Sequence, residues 1–173
     1  MTALAPAWRT AIARDKASRP AREIVERGLI GPKDSVLNFG SGRAWMDTAL
    51  FATCGRTAAS YDPRFAPRDD LLLQRWDVVY CGYVLNALPP LGRAEVVDTI
   101  RRLGGRAYFA VRGHGDRIEG EPFEDGVVTS KGTFQRAFSP AELHCELIRA
   151  FPRVRRVTGT SRSPFVILEA SIR

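Results

Sequence analysis

Two glycines around a serine, Gly40-Ser41-Gly42, and an aspartate further along, Asp62, have types and a spacing that suit a nucleoside-binding site. Glycine lets the backbone come close to a ligand, and the start of a following helix adds partial positive charge. Asp62 follows Gly40 by 22 residues, and a carboxylate at the end of the next strand accepts hydrogen bonds from ribose hydroxyls. The pattern predicts a nucleoside-binding crevice, with a tight turn and a capping aspartate as the structural alternative.

The residue at the last position of the glycine pattern argues against a dinucleotide. The dinucleotide fingerprint is Gly-x-Gly-x-x-Gly/Ala, and Trp45 occupies its last position in this sequence. A bulky side chain there does not allow the close packing of helix on strand that a pyrophosphate site requires. We therefore expect a nucleoside ligand other than NAD.

Three further positions are candidates for contact with a reacting group. Gly82-Tyr83 ends the next apolar run, Asn86 follows it, and His114 comes after a fourth apolar run. Because ligands bind outside the carboxyl ends of parallel strands, all three positions are expected at the same crevice. The alternatives are a packing role for Tyr83 and a solvated loop position for His114.

The elements that must position these residues alternate between strand and helix. Such alternation is typical of a parallel sheet with helices on both faces. The last two strands have only a short connection and must be antiparallel, because a parallel crossover needs about a dozen residues. The sequence thus predicts an α/β fold with a mostly parallel sheet and an antiparallel C-terminal strand. Strands are expected at 35–39, 56–61, 77–81, 107–111, 154–158 and 165–170, and helices at 44–54, 93–103 and 139–150, with two short helices in 7–29.

Three of these helices carry further local signals. Ser18 is a candidate N-cap within 7–29, and Ser139-Pro140-Ala141-Glu142 is a capping box that opens the helix at 139–150. In the helix at 44–54, one face is available to the core, formed by Trp45, Ala49, Leu50 and Ala52.

A long segment, 113–138, separates the fourth strand from the last helix. It is punctuated by glycine and rich in charge, and residues 127–129 and 133–135 suit a small hairpin around Ser130-Lys131-Gly132. A loop of this length in a compact domain is usually functional. We expect a flap over the crevice, with Lys131, Thr133 and Gln135 in contact with substrate.

The length and composition of the chain limit the number of domains that it can form. With 173 residues, 45% hydrophobic and 26% charged, it suits one globular domain and leaves no room for separate cofactor and substrate domains. We assign N-terminal helices to 1–34, a cofactor-binding core to 35–112, the flap to 113–138, and a helix with the closing strands to 139–173. Three scattered cysteines form no disulfide or zinc pattern, and no apolar run reaches about 18 residues. We expect a cytoplasmic protein without a metal site or membrane partner.

The run Val36-Leu37-Asn38-Phe39-Gly40-Ser41-Gly42 resembles the first motif of class I S-adenosylmethionine-dependent methyltransferases. Asp62, the strand at 76–80 and the antiparallel closing pair are similar to later features of that family. The resemblance implies S-adenosylmethionine as the cofactor and a Rossmann-like methyltransferase sandwich. It also implies cofactor contacts from Asn38, Phe39, Gly40, Ser41, Gly42, Arg43, Asp62, Pro63, Gly82 and Tyr83.

A narrower resemblance covers nearly the whole chain. It is to methyltransferase-like proteins associated with DNA phosphorothioation modification systems, and it implies DNA-related chemistry. The matching stretches are 9–12, 18–20, 39–43 with Asp47, 61–63, 82–86, 125–129 and 132–135.

The sequence departs from the broader family in its first motif. Asn38 stands in place of the usual aspartate, Ser41 in place of a common cysteine, and Ala44 in place of a common glycine. Asn38 keeps an acceptor but loses the charge that attracts a sulfonium or ammonium group. The resemblance therefore implies weakened cofactor affinity.

A second departure concerns the third strand of the family. Only 14 residues separate Asp62 from Asp77, and prolines and charges interrupt them. We expect that strand to be absent or vestigial. The adenine contact that it supplies in the family must then come from elsewhere, with Asp69, Asp70 and Leu72 as candidates.

Together the motifs predict methyl transfer to an unidentified acceptor related to nucleic acid, DNA or RNA, or to a nucleotide. The protein must align the acceptor with the methyl group, and Tyr83, Asn86 and His114 are the catalytic candidates. Asn86-Ala87-Leu88-Pro89 differs from the Asn/Asp-Pro-Pro-aromatic motif of amino-group methyltransferases, so an exocyclic amine is not indicated. Two alternatives stay open: a catalytically degenerate cofactor-binding protein with a regulatory or scaffolding role, and a basic nucleic-acid-binding module.

The net charge of +7 lies at the two ends of the chain. Residues 1–34 carry +3, residues 149–173 carry +5, and the body between them carries −1. Such a field favours polyanions, although the preference for arginine over lysine can equally reflect a GC-rich genome. In class I methyltransferases the N-terminal helices border the substrate mouth. The resemblance therefore makes the N-terminal excess, with Arg9, Arg14, Lys16, Arg19 and Arg22, the part placed for a polyanionic substrate.

Overall fold

A computed structural model describes residues 4–43 and 45–172 of the chain. The described residues form a six-stranded sheet of order β2-β1-β3-β4-β9-β8 and a small three-stranded sheet of order β5-β6-β7. In the large sheet the first four strands are parallel, whereas β9 is antiparallel to both β4 and β8. This confirms the predicted α/β fold with its antiparallel closing strands. The strands are β1 Ser35–Phe39, β2 Thr57–Tyr61, β3 Trp76–Gly82, β4 Gly104–Arg112, β5 Glu121–Phe123, β6 Gly126–Val128, β7 Phe134–Gln135, β8 Arg153–Thr158 and β9 Phe165–Ser171.

In the described part of the chain, four α-helices cover the two faces of the large sheet. They are α1 Arg19–Glu26, α2 Met46–Ala52, α3 Pro90–Leu103 and α4 Pro140–Leu147. Successive residues of a strand point to opposite faces, and neighbours such as Val78 and Val79 on β3 accordingly belong to two separate apolar clusters. One cluster includes buried residues of α1 and α2, and the other includes buried residues of α3 and α4. Because β1 to β4 pair in parallel, their carboxyl ends lie at one edge of the sheet between these two layers.

The connection between β2 and β3 contains no strand in the described part of the chain. A 3₁₀-helix, Asp69–Leu73, occupies this connection instead. It is fixed by burial of Leu71 and by the Trp76 indole, whose Nε1 donates to the Leu71 carbonyl at 3.0 Å. The expectation that the third family strand is missing is therefore confirmed.

The N-terminal segment differs from the prediction of two helices within 7–29. Its first helical piece is a 3₁₀-helix, Ala7–Thr10, and only α1 is an α-helix. Ser18 caps α1 by accepting the Ala21 N–H, as expected from sequence. The helix ends at Glu26, earlier than expected, and Gly28 follows with a positive φ of 64°.

The helix predicted at 44–54 is shorter and turns another side to the core. α2 buries Phe51, whereas Trp45 is 67% exposed. Ala44, one of the departures from the family pattern, lies outside the described residues. The predicted capping box of α4 is confirmed, with Ser139 accepting the Glu142 N–H and the Glu142 carboxylate accepting the Ser139 N–H. Within residues 4–43 and 45–172, no helix is both long and apolar enough to cross a membrane.

The segment 113–138 contains the expected hairpin. β6 and β7 pair antiparallel, with Val127 opposite Gln135 and Val128 opposite Phe134. β5 extends the hairpin into three strands, which the sequence did not indicate. The backbone N–H of Ala5 donates to the Gly132 carbonyl at 2.9 Å and so joins the N-terminal segment to the hairpin loop.

Candidate functional site

A cleft of about 1000 Å³ lies where the carboxyl ends of β1 to β4 meet the N-terminal segment and the hairpin. Twelve of the residues predicted for the site line it: Phe39, Gly40, Ser41, Gly42, Asp62, Pro63, Gly82, Tyr83, Asn86, Lys131, Thr133 and Gln135. This volume is within the range of small-molecule and cofactor sites. Lys131, Thr133 and Gln135 bring the flap segment to the cleft, and their contact with substrate stays a prediction.

The glycine turn is held to the end of β2 by backbone hydrogen bonds. The N–H groups of Gly40 and Ser41 both donate to the Tyr61 carbonyl, at 2.7 and 3.1 Å. Gly40 has a φ of +72°, and a Cβ there would lie 2.3 Å from Cγ2 of Val84. Glycine at position 40 thus serves the turn and its packing against Val84, in addition to any approach by a ligand.

Asp62 accepts three backbone hydrogen bonds with its carboxylate. Oδ2 accepts from Gly42 at 2.9 Å, and Oδ1 accepts from Arg64 at 2.9 Å and Phe65 at 3.0 Å. The side chain is buried and has lone pairs for about four hydrogen bonds. Asp62 therefore ties the glycine turn to the loop after β2 and keeps room for one further donor, such as a ribose hydroxyl.

Asn86 is a buried amide whose orientation is set by its hydrogen-bond partners. Its Nδ2 donates to Oε1 of Gln135 at 3.2 Å, and Nη1 of Arg112 donates to the same oxygen at 3.2 Å. Because a guanidinium can only donate, the Gln135 oxygen must face both groups. Asn86 Oδ1 is then left without a partner among the described residues. Since buried polar atoms are nearly always paired, this oxygen is an acceptor available for an N–H or O–H of a ligand.

Tyr83 lies in a strained conformation at the end of β3. Its φ is 60°, which is uncommon for a residue other than glycine, and its N–H donates to the Ala110 carbonyl at 2.7 Å. Burial raises the pKa of the Tyr83 phenol, with Arg14 acting in the opposite direction. At neutral pH the phenol stays protonated, so it can donate a hydrogen bond but is a poor base.

Three of the predicted site residues do not line the cleft. Asn38 is buried and donates from Nδ2 to Oγ1 of Thr48 at 3.0 Å, which links β1 to α2. Arg43 is exposed, with its guanidinium 5.1 Å from the centre of the Phe65 ring. His114 lies outside the cleft, where its Nε2 is 2.9 Å from Glu142 Oε2. The solvated loop position is therefore the one that the structure gives His114.

The three candidates for an adenine contact, Asp69, Asp70 and Leu72, do not line the cleft either. Asp70 is paired with Arg68 on the surface, and Leu72 packs against the core. Asp69 neighbours the Tyr61 phenol, whose pKa is raised by burial and then by this carboxylate. The wall of the cleft is formed instead by Ala87, Leu88 and Val96.

Several polar groups at the cleft were not predicted from the sequence. Asp47 accepts hydrogen bonds from N and Oγ of Ser18, at 2.6 and 2.8 Å, which fixes the start of α1 beside the first turn of α2. Arg112 ends β4 and donates from Nε to Asp116 at 2.7 Å. The rule that ligands lie at the carboxyl ends of parallel strands could have identified Arg112, whereas no local pattern pointed to the pairing of Ser18 with Asp47.

Comparison with known proteins adds evidence on the fold. Neither a known protein family nor a curated protein matches this sequence significantly. Among solved structures, Burkholderia thailandensis 1,6-didemethyltoxoflavin-N1-methyltransferase, with bound 1,6-didemethyltoxoflavin and S-adenosylhomocysteine, is 21% identical. That match has a TM-score of 0.63 and covers 88% of this chain and 76% of the other.

Two further solved structures have a similar relationship to this chain. The DhpI–SAH complex is 16% identical, with a TM-score of 0.60 over 89% of this chain and 85% of the other. The N-terminal domain of EvdMO1, in the presence of SAH and D-fucose, is 16% identical, with a TM-score of 0.58 over 92% and 85% of the two chains. At these identities the likeness concerns architecture. The chain has the Rossmann-like α/β fold of these structures, each of which contains SAH.

Proposed function

We propose that the protein transfers a methyl group from S-adenosylmethionine to an acceptor held in the cleft. The observation that carries this proposal is the glycine turn fixed by the Asp62 carboxylate, at the carboxyl edge of a sheet shared with structures bound to SAH. The cleft fits the cofactor by its size and by its hydrogen-bond acceptors, because the Asp62 carboxylate and the Asn86 amide oxygen each have an unused acceptor site. When bound, S-adenosylmethionine supplies a methyl group whose bond to the sulfonium breaks as the acceptor lone pair forms the new bond.

The residues of this chain bind and orient the reactants in the proposal. Asp62 accepts hydrogen bonds from ribose hydroxyls while it holds the glycine turn, and Ala87, Leu88 and Val96 form an apolar wall for the adenine. Tyr83 donates a hydrogen bond, and Asn86 accepts one from the reacting group. With His114 outside the cleft, the chemistry rests on alignment of the acceptor and on exclusion of water.

The acceptor that we propose is related to nucleic acid. The supports are the resemblance to proteins of DNA phosphorothioation systems and the basic residues of the N-terminal segment that line the cleft, Arg9 and Arg14. The positive electrostatic potential of these side chains raises the local concentration of polyanions such as nucleic acid at the cleft.

A non-catalytic cofactor-binding protein is the second candidate. It is favoured by Asn38, whose amide replaces a family carboxylate and is engaged by Thr48 inside the fold. Such a protein would bind the cofactor but would not methylate DNA, RNA or nucleotides in a radiolabel transfer assay. A transfer signal above that of the heat-inactivated protein would reject this candidate.

Isothermal titration calorimetry with S-adenosylmethionine, S-adenosylhomocysteine and NAD tests cofactor binding. We expect both sulfur nucleosides to bind the wild type and NAD to bind at least tenfold more weakly. Asp62→Ala should lose at least tenfold in affinity, whereas Asp98→Ala, an exposed carboxylate on α3 outside the cleft, should bind as the wild type does. Absence of binding by both sulfur nucleosides, or tighter binding of NAD, would overturn the proposal.

A further inference from the structure

Four basic side chains line the mouth of the cleft without a carboxylate partner. We name Arg9, Arg14, Arg64 and Lys131 the basic rim; no described carboxylate lies within salt-bridge distance of any of them. Many arginines elsewhere are neutralised, as in the surface pairs of Arg27 with Glu23 and of Arg68 with Asp70. The rim therefore concentrates uncompensated positive charge at the entrance.

Among the described residues, three carboxylates line the cleft against five basic side chains, and none of the three lies within salt-bridge distance of the rim, so the lining keeps a net positive charge. Asp47 accepts from Ser18, Asp62 accepts three backbone N–H groups, and Asp116 is paired with Arg112. The hydrogen bonds that hold Asp47 and Asp62 come from uncharged donors and leave the charge of both carboxylates in place. Arg112 deeper in the cleft is thus compensated, in contrast to the rim. An anionic ligand at the mouth would meet cations whose charge is free to interact.

Aromatic rings hold the rim arginines in place. The guanidinium groups of Arg64 and Arg9 lie 5.2 and 6.0 Å from the Trp8 ring centre, and that of Arg14 lies 5.5 Å from the Tyr83 ring centre. Stacking of this kind occupies the face of a guanidinium and leaves its N–H edge available for an anion. Trp8 also packs edge-on against Phe65, over which Arg43 lies.

Arginine interleaved with aromatic rings is the combination that binds single-stranded nucleic acid, through phosphate contacts and base stacking. The hydrogen bond between Ala5 and Gly132 joins the N-terminal segment to the flap loop, and both of these segments line the cleft. A base stacked in a duplex cannot enter such a site unless it leaves the stack.

We infer that the basic rim binds the phosphates of a single-stranded nucleic acid, one base of which enters the cleft as the acceptor. The inference rests on the proposed function for the role of that base, whereas the phosphate contacts stand on the rim alone. Four phosphate contacts give a slope of about −3 for the logarithm of the association constant against the logarithm of salt concentration.

Fluorescence anisotropy with a labelled single-stranded DNA of about 12 nucleotides, with and without saturating S-adenosylhomocysteine, tests this inference. Each of Arg9→Ala, Arg14→Ala, Arg64→Ala and Lys131→Ala should weaken binding about fourfold at 0.15 M salt and reduce the slope by about 0.7. Arg14→Lys and Arg64→Lys keep the charge and should keep most of the slope. Circular dichroism and thermal melting verify that each variant is folded.

Matched controls are available at the other basic end of the chain. Arg153 and Arg156 on β8 are exposed, have no carboxylate partner among the described residues and lie outside the cleft. Arg153→Ala and Arg156→Ala should leave the slope unchanged. Equal effects in rim and control variants, a salt-insensitive affinity, or binding of a duplex as tightly as the single strand would each overturn the inference. Calorimetry with S-adenosylhomocysteine on the same variants tests cofactor binding separately. If the cofactor product does not bind, the proposed function fails, whereas the proposed phosphate contacts of the basic rim are unaffected.

Discussion

Replacement of Arg93 by methionine will destabilise the fold and loosen the flap. Arg93 on α3 is 1% exposed, and its guanidinium donates to the Leu88 carbonyl at 2.9 Å, to the Asp125 carboxylate and to Glu146 at 2.9 Å. Arg136 contacts the same two carboxylates. Because Asp125 lies between β5 and β6, Arg93 connects the flap to α3 and α4.

The expected cost can be worked out from these contacts. Removal of one partner from a buried ion pair costs about 3–5 kcal/mol, because it leaves the other charge uncompensated. Arg136 stays close to both carboxylates, and the Asp125 side chain is 33% exposed and can regain water. We therefore expect the lower limit, about 3 kcal/mol, which is about 6–12 °C in melting temperature for a chain of this length.

Urea denaturation measures the free energy of unfolding, and amide hydrogen exchange measures the opening of residues 121–135. Arg102→Met is the matched control, since Arg102 lies on the same helix in an exposed ion pair with Asp98. It should change stability by no more than about 0.5 kcal/mol. Equal costs for the two substitutions, or unchanged exchange in the flap of Arg93→Met, would refute the reasoning.

Three other predictions concern single sites. Gly40→Ala should lower the free energy of unfolding in urea by about 2–4 kcal/mol, because position 40 has a positive φ and a Cβ there would clash with Val84. Gly28→Ala is the control, since Gly28 has a similar φ but open space around it, and it should cost only about 1 kcal/mol. Equal costs would show that the clash with Val84 contributes nothing. Ser139→Ala should lose about 1 kcal/mol with the N-cap of α4, and Ser139→Thr should recover most of it in the same assay. Burial opposes ionisation of Glu142, but hydrogen bonds from Ser139 and His114 outweigh it and lower its pKa from 4.5 to about 2. The contribution of the Glu142 carboxylate to stability is therefore complete above pH 4.5 and is lost as the pH falls towards 2. Glu142→Gln should reduce the pH dependence of the free energy of unfolding, measured in urea between pH 4.5 and 2.

Local sequence was enough to place most elements of the fold. The apolar runs of β1, β3 and β4, the short connection before β9 and the capping box at Ser139 are local signals, and the structure confirms each of them. The N-terminal segment shows where such signals end. Residues 7–10 have helical spacing but form a 3₁₀-helix, because so short a piece depends on its neighbours and not on its own propensity.

The sequence by itself determined the fold class and the sheet edge at which the cleft lies, because Gly40, Gly42 and Asp62 follow strands whose parallel arrangement places their carboxyl ends at a common edge. Only the tertiary structure decided what each side chain contacts there. It placed His114 beside Glu142 outside the cleft and oriented the Asn86 amide by hydrogen bonds to Gln135. It also left the four side chains of the basic rim without a salt-bridge partner among the described residues. The physical reason is that hydrogen bonds and ion pairs act over a few ångströms between residues far apart in the chain, whereas a sequence pattern registers only spacing along it.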